Sequence, residues 1–181
     1  GVLTKLNGEI ITEYKINKNF KSFDQNTILK EIKNCISHIS KKSQIGFELI
    51  KSIVISLPGI IEDNEIKVSN ILPQLQGNRL GEEIVNEFDI DVLIKNDINS
   101  KVVGEYWKLS EAYENLVYIS PEKTGVGSGI IIDGKLYEGS SFGAGEVGYM
   151  LFNVEDLLSN NYKANYLENI VSRDSISIIL C

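Results

Sequence analysis

Two stretches of this chain put proton-accepting and anion-binding groups at spacings that chemistry can use: Asn96-Asp97, closing VLIKND, and residues 124–149, TGVGSGIIIDGKLYEGSSFGAGEVGY. An aspartate at the carboxyl end of a strand and facing a cleft can take the proton of a bound hydroxyl. Asn and Asp are equally the preferred residues at helix N-caps, where each stabilises by about 1 kcal/mol, and both readings stand. The second stretch holds eight of the chain's fifteen glycines. Each glycine forfeits more backbone entropy than any other residue, so this density answers a local need. Residues 124–129, read as a loop, would turn successive amides inward as a phosphate nest, and a pair of ordinary hairpin turns is the alternative. Ile130 to Ile132 then make a β-branched strand, Asp133-Gly134 a two-residue turn and Leu136-Tyr137 the return strand. A second glycine-rich loop follows and carries Glu146.

The elements that must position these groups follow from periodicity. Residues 2–6 and 9–16 are strand-like and joined by Asn7-Gly8, a strong hairpin signal. Asp24 caps a helix over residues 27–42, where Ile28, Ile32, Cys35, Ile36 and Ile39 share a face. SIVISL at 52–57 is a buried strand stopped by Pro58-Gly59, and in open α/β sheets that end of a strand is where ligands bind. A hairpin at 59–68 around Asp63-Asn64, a loop at 69–78, a helix at 80–88 and a strand at 91–95 come next. A helix over 100–112 has Val102, Val103, Tyr106 and Trp107 as its apolar face, residues 115–120 form another strand, and residues 151–180 read as helical and polar. Strands alternating with helices after an opening hairpin give an α/β layer with a mixed sheet.

Composition removes several function classes. The chain has 181 residues, 43% of them hydrophobic and 24% charged, enough for one large domain or two lobes. A net charge of −7 with scattered lysines gives no nucleic-acid surface in this region. Cys35 and Cys181 have no metal or redox spacing, and His38, the only histidine, lies beside the apolar stripe of its helix with no spaced partner. No apolar run reaches membrane-spanning length and no signal-type N-terminus is present, so the expected setting is cytoplasmic. The start at Gly1 and the stop inside an apolar pattern at Cys181 read as a fragment.

Taken together and in order, these motifs resemble the ROK family of sugar kinases and sugar-responsive repressors. SLPGII is similar to its Pro-Gly turn, VLIKNDIN to its Asn-Asp signature, TGVGSGIIIDGKLYEG to its second phosphate loop and hairpin, and GAGEVGY to its Ala-Gly-Glu segment. YLENIVS is similar to its Leu-Glu segment. The resemblance implies a two-lobed actin-like ATPase (ribonuclease H-like) α/β fold, with mixed sheets flanked by helices and a cleft between lobes, residues 1–110 being the first lobe and 111–181 part of the second. It implies Asp97 as catalytic base, Gly59, Asn96, Glu146, Tyr149 and Glu168 as sugar contacts, and Thr124, Gly125 and Gly127 against ATP phosphates. A homodimer is the common assembly.

Two departures qualify the match. Where the family commonly carries a zinc-binding histidine this chain has Tyr149, with no cysteine between it and Glu168. Tyrosine does not replace a ligand in a Cys/His zinc site, so no zinc is expected, as in the family's zinc-free, β-glucoside-kinase-like branch, and no residue is assigned as a metal ligand. The family's opening Asp-Gly-Thr type loop is also not in the sequence. The resemblance implies ATP- and Mg2+-dependent phosphorylation of a hexose or hexose derivative, the fragment by itself being inactive. The alternative is the sugar-binding domain of a regulator without kinase activity. A third reading takes the polar residues as caps and turns of a non-catalytic domain.

Overall fold

The computed structural model describes residues 1–109, 112–123, 125–151 and 166–174. They divide into two compact units, Gly1–Asn96 and Asp97–Cys181.

In the first unit β1 (Val2–Thr4) and β2 (Ile10–Glu13) pair antiparallel across the Asn7-Gly8 turn, with a bulge after Leu3. α1 (Gln25–Ser43) begins where Asp24 accepts from the Thr27 N–H at 2.7 Å. That bond holds the Asp24 carboxyl below its ordinary range. The sole histidine, His38, is exposed and stacks on Tyr14 with ring centroids 3.9 Å apart, and Cys35 is a free thiol.

β3 (Ser52–Leu57) runs parallel to β6 (Asp91–Asn96), residue for residue from Ser52 opposite Asp91 to Leu57 opposite Asn96. The crossover contains the hairpin β4 (Ile60–Glu62) and β5 (Glu65–Val68), then α2 (Leu80–Phe88). Asp63 and Asn64 both take positive φ, 48° and 62°, as a two-residue hairpin turn demands. Asn64 also bridges to β6, donating to the Val92 carbonyl at 3.1 Å and accepting from the Ile94 N–H at 2.8 Å. Ile28 and Leu29 of α1, Leu57 of β3, Ile61, Ile66, Leu75, Leu80, Ile84, Val92 and Ile94 form one buried core. It fixes the carboxyl ends of β3 and β6, where Gly59 and Asn96 lie.

In the second unit α3 (Asp97–Lys108) packs on β8 (Val126–Ile132), the centre of an antiparallel sheet in the order β7 (Leu116–Pro121), β8, β9 (Lys135–Leu136). The division at Asn96–Asp97, rather than near residue 110, follows from that packing: α3 belongs with the sheet it covers.

Three further expectations change. α3 starts at Asp97, three residues before the anticipated Ser100. Its inward face is Ile98 and Val102, buried at 8% and 0% exposure, while Val103 and Trp107 face solvent at 44% and 55%. Residues 126–129 are strand rather than loop, Gly127 pairing with Ser120 and Gly129 with Tyr118. A short helix, α4 (Leu167–Val171), lies in the polar tail. The rest of that tail, 152–165 and 175–181, lies outside the described residues.

Candidate functional site

In the first unit, two of the anticipated sugar contacts meet. Asn96 Nδ2 donates to the Gly59 carbonyl at 2.8 Å, so the amide is oriented by the Pro58-Gly59 turn. Gly59 has φ +133°, and a Cβ there would overlap the Val68 carbonyl and crowd Ser69, so only glycine fits.

In the second unit Glu146 lies within electrostatic reach of the other two anticipated carboxylates, Asp97 and Glu168. Asp97 opens α3, its Oδ1 accepting from the Ile98 N–H at 3.0 Å. Glu146 precedes a single 3-10 turn, Val147–Tyr149. Glu168 is in the first turn of α4, brought back beside that segment where the Leu167 N–H donates to the Met150 carbonyl at 2.9 Å and Leu151 bridges Tyr166. Tyr149 meets Tyr166 edge-on, with centroids 5.6 Å apart.

Electrostatics link the three at Glu146. Burial raises the Glu146 carboxyl above its ordinary value, and the charges of Glu168 and then Asp97 raise it further. Glu146 is still reachable by solvent, so enclosure by neighbours rather than complete burial is the cause. Asp97 is raised by burial, opposed by the nearby Lys101 ammonium, and Glu168 is raised by burial. Like charges near one another oppose each other's ionisation. Among the described residues no ion pair engages any of the three. Such a group favours a ligand that brings hydrogen-bond donors.

Glycines and one serine hold this arrangement. Gly145 has φ +88° and lies so close to the Ser128 carbonyl that a Cβ would collide with it, while Ser128 Oγ donates to the Gly145 carbonyl at 2.8 Å. The loop carrying Glu146 is thereby tied to β8. Glu168 Oε2 sits 3.2 Å from where a Cβ on Gly125 would lie and 3.3 Å from one on Gly148. Gly127 and Gly129 do something different. A Cβ on Gly129 would meet Val102 Cγ1 at 2.6 Å and Val102 Cβ at 2.9 Å, and one on Gly127 would strike the Ile98 side chain. Those two glycines let α3 lie against β8.

Of the residues anticipated against phosphates, Gly125 is in the turn between β7 and β8 and Gly127 is within β8, while Thr124 lies outside the described residues. Ser128, Lys101 and Glu122 were not anticipated. Lys101 pairs with Glu122 on that turn, which draws the Glu122 carboxyl below its ordinary range, with help from Ser120, whose Oγ donates at 2.9 Å, and from Arg173. Among the described residues no three His, Cys, Asp or Glu side chains are grouped to hold a metal ion, and no helix is long and apolar enough to cross a membrane.

The ROK family's sequence model matches residues 1–178. A xylose repressor of Caldicellulosiruptor bescii is 31% identical over 99% of this chain and 45% of its own length. An N-acetyl-D-glucosamine kinase of Citrobacter koseri is 32% identical over 61% of this chain and 37% of that kinase. Among solved structures, a ROK family transcriptional regulator, a homologue of the E. coli MLC protein, superposes with a TM-score of 0.81 at 25% identity, over 99% of this chain and 45% of that one. The chain thus spans less than half the length of these relatives, and its fold is the actin-like ATPase fold of ROK proteins.

Proposed function

We propose, from the premise that the chain belongs to the ROK family, that it carries the sugar-recognition carboxylates of a sugar-responsive transcriptional regulator. The observation that carries this reading is that Glu146 feels the charges of Asp97 and Glu168, all three carboxyls being raised and none ion-paired among the described residues. A sugar presents several adjacent hydroxyl donors, and each ionised carboxylate offers two acceptor oxygens. Hydrogen bonds to charged acceptors contribute about 1.5–3 kcal/mol each, enough for three carboxylates to dominate recognition. The regulator setting is supported by the match to a xylose repressor along nearly the whole chain, where the kinase match covers less of it. D-xylose is therefore the first ligand to try.

A second reading, an ATP-dependent sugar kinase, has one observation in its favour. Asp97 opens a helix at the end of β6 and is buried enough for its carboxyl to be raised, which suits a base that takes the proton of a sugar hydroxyl. Gly59 and Asn96 serve either reading, because their bond fixes the strand end next to Asp97 in the chain.

Calorimetry of the full-length protein against D-xylose, D-glucose and N-acetyl-D-glucosamine, run beside a phosphorylation assay with Mg2+ and ATP, separates the two. Sugar uptake without turnover is the regulator's outcome. Turnover that Asp97→Asn abolishes is the kinase's outcome, and absence of uptake for every sugar tested would sink both.

A further inference from the structure

A phosphate-binding turn presents free N–H donors and available cations to an anion. The turn between β7 and β8, which the family resemblance sets against nucleotide phosphates, presents an anion instead. Glu122 takes the Lys101 ammonium on Oε1, together with the Ser120 hydroxyl, and its Oε2 lies 3.6 Å from an Arg173 guanidinium nitrogen. One backbone donor of the turn is committed too. The Glu122 N–H donates to the Gly125 carbonyl at 2.8 Å, while the carbonyls of Glu122 and Lys123 accept from the N–H groups of Arg173 and Asp174 at 2.8 and 3.1 Å. On the other side Glu168 Oε2 crowds Gly125, and behind the turn the room left by Gly127 and Gly129 is filled by Ile98 and Val102. These residues do not fit a nucleotide's phosphates.

We propose that Glu122 is a resident anion that occupies Lys101 and Arg173 and excludes phosphate groups from this turn, so that the neighbouring carboxylates act on a sugar without a nucleotide. The last clause rests on the sugar reading above; the exclusion of phosphate does not. A triphosphate approaching the turn meets Glu122 and Glu168, two anions, while Lys101 and Arg173 are already engaged with Glu122 and only the exposed Lys123 remains to attract it. Replacing Glu122 by glutamine keeps the side chain's shape, removes its charge and releases Lys101 and Arg173 to an incoming anion.

The test titrates the full-length protein calorimetrically with tripolyphosphate and, separately, with ADP, using wild type, Glu122→Gln, Glu122→Ser and the double variant Glu122→Gln/Lys101→Met. Wild type is expected to take up neither probe at concentrations up to about millimolar, and the single variants to bind about tenfold or more tightly than wild type. The double variant should lose most of that gain, a reversal that a loosened hairpin would not produce. Micromolar binding by wild type would overturn the proposal whatever the variants do, as would single variants no tighter than wild type. A sugar titration on the same samples keeps the two readings apart. Wild type that ignores sugar, with variants that gain phosphate, overturns the sugar reading and supports this one.

Discussion

Two glycine-bearing regions of the second unit have similar sequence density and opposite uses. In β8, Gly127 and Gly129 are small because α3 presses against them through Ile98 and Val102. In the loop at 145–148 glycine lets backbone and carboxylates come together, Gly145 over the Ser128 carbonyl and Gly148 beneath Glu168. The first region is packing and the second is the candidate site. What separates them is the atom that faces each glycine, an apolar side chain in one case and a carbonyl or carboxylate in the other.

Substitutions can break that distinction, beginning with the largest effect. Glu146→Ala and Glu168→Ala should each weaken sugar binding by about 100-fold, near 2.7 kcal/mol, by removing charged acceptors, with the melting temperature unchanged or raised. Calorimetry and a thermal melt on the same sample read the two apart. Gly129→Ala should do the reverse, costing about 2 kcal/mol of stability as its methyl is forced against Val102, with sugar affinity little altered in the protein that remains folded. A Gly129→Ala protein of wild-type stability would show that β8 is not a packing strand.

Much of this was legible in the sequence, where the signal was local. The Asp24 cap, the Asn7-Gly8 and Asp133-Gly134 turns, β3 and α2 all rest on residues within one or two turns of each other, and they form where their patterns place them. Of the Asn-Asp and Ala-Gly-Glu motifs, Asp97 and Glu146 share the second unit, and the charge of the first acts on the second. What the sequence left hidden depends on contacts across the fold. Gly127 and Gly129 read as a phosphate loop because nothing in the chain says that Ile98 and Val102 will face them. Val103 and Trp107 look like half of an apolar face until β8 selects Ile98 and Val102 instead. Ser128 carried a faint signal as a lone hydroxyl in a glycine and isoleucine run, but its partner Gly145 is seventeen residues away. The Lys101 and Glu122 pair is separated by twenty-one.

Smaller effects sharpen the comparison. Ser128→Ala removes the bond to the Gly145 carbonyl and should cost about 1 kcal/mol. Sugar affinity should fall by a few-fold as the Glu146 loop loosens, an effect that Gly129→Ala should not share. pH gives a further reading. Because Asp97, Glu146 and Glu168 are raised in the folded protein, the folded state holds more protons than the unfolded chain in the window just above their ordinary values. Their contribution therefore favours folding as pH falls from neutral toward about pH 5 and opposes it as pH rises through the raised values. Glu146→Gln should accordingly raise the melting temperature at neutral pH and do so less at about pH 5, while sugar binding by wild type weakens over the same fall as acceptors become protonated.

The central claim is that the three carboxylates recognise a sugar. It is tested most directly by titrating D-xylose, then D-glucose and N-acetyl-D-glucosamine, into full-length wild type and into Glu146→Gln, without nucleotide. The account predicts saturable binding of at least one of these sugars by wild type and a loss of about tenfold or more in Glu146→Gln. Equal affinity in the two proteins, or no uptake of any sugar by wild type, would contradict it.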